Sequence, residues 1–397
     1  MDEKNRETEM SEKFNFDKTV NREGSGSVKW DHTEKGVIPM WVADMDFKTA
    51  PCIIEALRER VDHGVFGYVD VPESYYDSII NWFERRHGWK ISRDSIMYTI
   101  GVVPAISAVI KGLTKPGDGV IMLTPVYNCF YSSIRNNGCE VVECPLIYRP
   151  EGYLIDFDKF EAMASSENVR LMLLCNPHNP VGRVWTREEL LKIGEICLKH
   201  DVFVVSDEIH CELTFKGHDY TPYQTIGEEY AVKSVTCSAP SKAFNIAGLQ
   251  NANIMALDVE VRRKIDRAIN DNEVCDVNPF GVVAVRAAYD HGEDWLDALR
   301  DYLWGNYQIT RSFFEENMPQ LKIVPLEGTY LVWINCESIP MTSEELVERM
   351  TKEAGVRLSP GTLYGAAGEH FLRLNIACPR ITLTEGLERM KKFFSKI

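Results

Sequence analysis

From about residue 95 the chain alternates short apolar runs with stretches of helical periodicity, and this alternation limits the folds open to it more than any other feature. The runs are Ile96 to Ile100, Val120 to Leu123, Glu140 to Cys144, Val169 to Cys175, Val202 to Ser206 and Val232 to Thr236. Strands interleaved with helical segments predict a mostly parallel sheet covered by helices, because parallel neighbours need a long crossover between them. Thr186-Arg-Glu-Glu189 has the spacing of a capping box, and Leu190, Ile193 and Cys197 give the helix that follows an apolar face. Boxes of the same kind predict helix starts at Thr342 and Thr382. After about residue 290 the pattern shifts to long helices with a few strands, Gly328 to Ile334 and Phe371 to Asn375 among them, so a second, smaller domain is expected there.

Ahead of the alternation, the first dozen residues are charged and are expected to fray. Lys29-Trp30-Asp31 and the segment Ile38 to Phe47 then bring back aromatic and apolar anchors, which predicts an arm packed on the body. Gly24-Ser-Gly-Ser27 does not complete a dinucleotide fingerprint, and there is no Walker motif. No apolar run approaches the ~18 residues of a membrane span. With 44 basic against 59 acidic residues the net charge is -15, which argues against a broad nucleic-acid surface. The 11 cysteines are scattered singly without a CxxC pair, and the start lacks the apolar core of a signal peptide, so a reducing cytoplasm is the expected location.

Polar groups recur at the carboxyl ends of the apolar runs, where open α/β sheets bind ligands. Gly101-Val-Val-Pro104 opens a helix and can present the backbone N–H groups near Val102 and Val103 to an anion. Further runs end in Thr-Pro-Val-Tyr127, in Asn176-Pro-His-Asn179-Pro-Val-Gly182 and in Asp207-Glu-Ile-His210. The last run breaks at Pro240, and Ser241 and Lys242 follow among small residues. A free lysine is neutral only about once in two thousand at pH 7, so a lysine that attacks an aldehyde sits in a controlled pocket. A phosphate cradle, a stacking aromatic, an amide, a carboxylate and a lysine together describe a site for pyridoxal phosphate. Asp207 suits the pyridine nitrogen, Tyr127 the ring face, and Asn179 or His210 the ring oxygen. A metal is not expected: Asp207, Glu208, His210 and Cys211 stand too close in sequence to converge, and no second ligand cluster has the right spacing.

Asn176-Pro-His-Asn-Pro-Val-Gly182, the Asp207 segment, Ser241-Lys242 and Arg373-Leu-Asn-Ile376 stand in the order of the fold-type I pyridoxal-phosphate enzymes with class I/II aminotransferase architecture, which the chain resembles over nearly its whole length. More narrowly it resembles the MalY/PatB-type cystathionine β-lyases, or C–S lyases, through Lys29-Trp-Asp31, Met40 to Phe47, Phe66-Gly-Tyr68, Gly101-Val-Val-Pro104, Asp207-Glu-Ile-His210, Ala239 to Asn245 and Asn278-Pro-Phe-Gly281. The resemblance implies a mostly parallel seven-stranded sheet sandwiched by helices, with a smaller α+β domain. Residues 1–47 would be an arm and part of that small domain, 48–290 the large cofactor-binding domain and 291–397 the small C-terminal domain. His210, Ala239 and Gln250 replace a tyrosine, a serine and a phosphate-gripping arginine of the aspartate aminotransferase pattern, which favours the lyase subgroup.

The implied activity is β-elimination from an L-cysteine thioether such as cystathionine, with an aminotransferase as the alternative and a regulatory interaction protein as the remote one. Lys242 would carry the cofactor and act as general base, with Tyr127 a second proton donor. Arg373 would grip the substrate carboxylate with its planar fork, with Asn179 and Ala43 beside it. Tyr68 would reach the phosphate in a neighbouring subunit, which implies a homodimer with shared active sites.

Overall fold

The computed structural model describes residues 14–274 and 276–397, so the expected fraying of the first dozen residues falls outside the described residues. The main sheet has seven strands: β1 (Ile96–Thr99), β2 (Gly119–Thr124), β3 (Glu140–Pro145), β4 (Val169–Cys175), β5 (Phe203–Asp207), β6 (Ser234–Ser238) and β7 (Ala252–Ala256). Their order is β1-β7-β6-β5-β4-β2-β3. Pairings are parallel except for β7, which runs antiparallel to both β1 and β6. Because β7 alone is reversed, the carboxyl ends of the other strands open on one side of the sheet.

Alternate residues of each strand serve opposite faces, so a strand covered on both sides reads as an unbroken apolar run. Val120 and Met122 of β2 pack beneath α3 (Val102–Leu113), α4 (Asn128–Asn136) and α6 (Val259–Asn270), while Ile121 and Leu123 face the side covered by α5 (Arg187–Lys199). A third core joins α1 (Pro51–His63), α2 (Glu73–His87), α7 (Pro279–His291) and α8 (Glu293–Asn317) to a smaller sheet. That sheet holds β8 (Lys322–Ile323), β9 (Leu331–Asn335), β10 (Ser359–Pro360) and β11 (Phe371–Asn375), in the antiparallel order β8-β9-β11-β10. Two further helices, α9 (Ser343–Ala354) and α10 (Arg380–Phe394), complete this end.

Capping boxes form at Thr186 and Thr342, with both reciprocal hydrogen bonds in place. The box expected at Thr382 does not form: α10 starts two residues earlier, at Arg380. The Arg380 amide is met there by the Tyr302 hydroxyl at 2.9 Å and by Asp17 Oδ1 at 3.3 Å, so tertiary partners replace the local cap. The strand expected from Gly328 starts at Leu331, because Thr329 takes a left-handed φ of 72° that ends extended pairing.

Candidate active site

Parallel alignment turns five separate loops into one site. β1 leads into Gly101 and the first turn of α3, β2 into Tyr127 at the cap of α4, and β4 into Asn179. β5 ends in Asp207 and leads to His210, and β6 leads to Ser241 and Lys242. Together with Ala43 and Arg373, these groups line one cavity of about 460 Å³. Of the residues expected from the sequence, Val102, Val103, Tyr127, Asn179, Asp207, His210, Ser241, Lys242, Ala43 and Arg373 all meet there. Tyr68 does not; it stands 98% exposed on the loop after α1.

The arm closes the cavity from the opposite side as a strap beside β11. Asn375 Nδ2 donates to the carbonyls of Val42 and Asp44, each at 2.6 Å. Asn245 Nδ2 donates to the carbonyls of Met45 and Phe47, and its Oδ1 accepts from the Met45 amide. Asp46 anchors the strap from below, taking Lys29 Nζ and Arg22 Nη1 at 2.7 Å and Trp30 Nε1 at 2.8 Å. Burial alone would raise the Asp46 carboxyl, but the Lys29 ammonium and these donors hold it below the usual range.

The strap's carbonyls position the two cations of the site. Arg373 Nη2 donates to the Trp41 carbonyl at 2.7 Å, Nη1 to Asn179 Oδ1 at 3.2 Å, and the guanidinium lies 4.8 Å above the ring of Tyr364. Among the described residues no carboxylate is ion-paired with Arg373. Lys242 Nζ donates to the Ala43 carbonyl at 2.7 Å. Desolvation pushes the Lys242 ammonium down to about 8, the nearby Arg373 adds to this, and Asp44 and Asp207 oppose it. A nucleophilic amine at neutral pH needs that shift.

Asp207 is buried and accepts the Ile209 amide at 3.1 Å. Burial raises its carboxyl to about 7, and a cationic ring nitrogen at this position would draw it back toward the ionised form. Burial also pushes His210 down to about 3, with Lys242 and Arg373 repelling its proton, so the ring is neutral. The Tyr127 phenol is raised by burial and keeps its proton, which makes it a donor and a poor base. In α3, Pro104 has no N–H and the Ala105 amide bonds Gly101, which leaves the first-turn amides of Val102 and Val103 for an anion. An aldehyde-reactive amine, a carboxylate for a ring nitrogen, neutral donors and an anion cradle fit pyridoxal phosphate group by group.

Trp41, Ser359, Tyr364 and the buried Tyr330 belong to this site as well, and sequence reasoning did not find them. Trp41 acts through its backbone carbonyl, which also accepts the Ser359 hydroxyl at 3.0 Å, and such a role leaves no mark in side-chain identity. Gln250, noted for the arginine it replaces, lines the cavity with a left-handed φ of 50°.

Residues 35–390 match the family "Aminotransferase class I and II", and the chain belongs to it. Within that family it is 44% identical over 387 residues to the cystathionine β-lyase PatB of Bacillus subtilis, covering 96% of this chain and 100% of PatB. Two solved structures share its fold closely. Cystalysin from Treponema denticola, which contains a pyridoxal 5′-phosphate cofactor, is 38% identical with a TM-score of 0.93, covering 96% of this chain and 99% of cystalysin. The pyridoxal-phosphate-bound C–S lyase from Staphylococcus hominis is 32% identical with a TM-score of 0.90, over the same shares of the two chains.

Proposed function

We propose that the chain is a pyridoxal-phosphate-dependent carbon–sulfur β-lyase that eliminates a thiol from cystathionine or a related L-cysteine thioether, leaving pyruvate and ammonia. The observation that carries this reading is the pair of cations in one cavity: a depressed lysine beside a buried arginine that has no carboxylate partner among the described residues. Similarity to PatB, cystalysin and the staphylococcal lyase supports the elimination chemistry.

Bound here, pyridoxal phosphate supplies an electron sink for charge developing at the substrate's Cα. Lys242 would hold it covalently, Asp207 its ring nitrogen, Asn179 or His210 its ring oxygen, and the Val102 and Val103 amides its phosphate. Arg373 is the group for the substrate α-carboxylate, whose two oxygens match its planar fork. Once released, the neutral Lys242 amine takes the Cα proton and hands a proton to the departing sulfur, with the Tyr127 hydroxyl as a second donor. A thiolate leaves easily because a thiol's pKa lies near ~8.5.

The wider reading includes a homodimer in which Tyr68 serves the partner's cavity; its full exposure beside exposed Val65 and Phe66 supports that. It places residues 1–47 as an arm and part of the small domain, 48–290 as the large domain and 291–397 as the small one. It also places the enzyme in the cytoplasm, a reading supported by ten free cysteines among the described residues. No helix among the described residues is long and apolar enough to cross a membrane. The test is a panel of L-cysteine thioethers with pyruvate followed: release from at least one thioether, dependent on pyridoxal phosphate, is expected, and no release from any contradicts the assignment.

A further inference from the structure

The Ala43 carbonyl carries two donors, Lys242 Nζ at 2.7 Å and the Tyr330 hydroxyl at 3.0 Å. Tyr330 is fully buried, at the start of the segment leading into β9, and it touches the site through this one hydroxyl bond and an edge contact 6.4 Å from the His210 ring. The carbonyl itself has little freedom, because the carbonyls on either side, of Val42 and Asp44, are both held by Asn375, and Met45 is held by Asn245. A carbonyl oxygen has two lone pairs, and each donor draws density from the same atom. The ammonium is therefore held less tightly than by a carbonyl with no second donor.

We propose that Tyr330 is a positioning residue for Lys242: by donating to the Ala43 carbonyl it weakens the acceptor that holds the lysine ammonium, and so sets how readily the neutral amine is released. The inference rests on the reading of Lys242 as the reactive amine. The other groups that bear on Lys242 are Arg373 on β11, Asp44 on the strap, Asp207 at the end of β5, His210 beyond it and Cys129 in the first turn of α4. A Tyr330 substitution leaves all of them in place. Because burial raises the Tyr330 phenol further above its ordinary range, the hydroxyl stays a donor throughout the range in which Lys242 titrates.

The experiment measures carbamylation of Lys242 by cyanate, which attacks neutral amines, in the full-length chain with aldehyde ligands removed, between about pH 6 and 11 and by peptide mass spectrometry. Wild-type labelling should be half-maximal near pH 8. Tyr330→Phe, which keeps the ring and drops the hydroxyl, should move the midpoint upward and slow labelling below it about threefold. Difluorotyrosine placed at position 330 is a stronger donor and should move the midpoint downward; it decides the matter alone if the phenylalanine variant does not fold. A midpoint unchanged in the variants overturns the inference, since a purely structural role would not move it. Trapping pyridoxal phosphate with borohydride separates the two readings: a wild-type chain with no adduct on Lys242, whose midpoint still moves with Tyr330→Phe, would overturn the cofactor assignment and leave the role of Tyr330 standing.

Discussion

Arg373 and Lys242 are cations that share a cavity, and neither is ion-paired among the described residues; each is held instead by a backbone carbonyl of the strap. Their mutual repulsion helps keep Lys242 near 8, and the buried Arg373 Nε, which has no hydrogen-bond partner among the described residues, leaves the guanidinium capacity for an incoming carboxylate. At about 1.5–3 kcal/mol for a charge-assisted bond, Arg373→Lys should lower kcat/KM by roughly 10- to 150-fold, because an ammonium cannot reproduce the two-pronged bond. Unchanged kcat/KM would remove Arg373 from substrate binding. Lys242→Ala should abolish turnover and leave no borohydride-stable cofactor adduct on any peptide; an adduct elsewhere would move the assignment to another lysine. The site side chains at the strand ends were legible in the sequence because their chemical types, in that order, describe a cofactor; Tyr330, Ser359 and Tyr364 were not, since they come from outside the main sheet. Ala43 and Trp41 as acceptors were not, since a backbone carbonyl can belong to any residue.

At the scale of the element, the strap does the positioning, and Asn375 is its main tie to β11. Asn375→Ala removes two bonds of 2.6 Å to carbonyls that flank the Lys242 acceptor. We expect about 1–3 kcal/mol of lost stability in denaturant titration, and a fall in kcat/KM larger than that loss alone would cause. A variant that loses stability but keeps full kcat/KM would show that the strap is only structural. The parallel strands were legible because a strand buried on both faces is a continuous apolar run. β7 escaped notice: Ala-Asn-Ile-Met-Ala holds one β-branched residue and a polar Asn253, and its place comes from pairing with β1 and β6 and from Tyr75, whose hydroxyl donates to Asn253 at 2.8 Å. Thr382 misled for the opposite reason, since a good local cap lost to tertiary partners that satisfied an earlier amide.

For the molecule as a whole, the segment that carries His210 is bolted to α2 by Glu212, which accepts Trp82 Nε1 at 2.6 Å, His87 Nε2 at 2.7 Å and Arg86 Nε at 3.2 Å. Burial alone would raise this carboxyl, but His87 and Arg86 outweigh it and hold it at about 2. A depressed carboxylate contributes stability above its unfolded value and loses it as pH falls through the folded one, so this contribution should fade between about 4.5 and 2. Glu212→Gln should cost about 1–3 kcal/mol at neutral pH, because the carboxylate charge on Trp82, His87 and Arg86 is lost while Arg86 keeps Glu293 and Asp297, and should flatten the acid limb of a stability–pH curve over that window; an unchanged limb would contradict it. If the dimer shares its sites, mixing Lys242→Ala with an inactive Tyr68→Phe should restore part of the activity, because one site of each heterodimer is intact. Demonstrated heterodimers with no activity would count against sharing. The central claim, elimination rather than transamination, is tested most directly by supplying cystathionine with no keto acid and counting products per active site. Pyruvate, ammonia and thiol should accumulate together over many turnovers. A reaction that stops after about one turnover and resumes only when a keto acid is added would contradict the account and make the chain an aminotransferase.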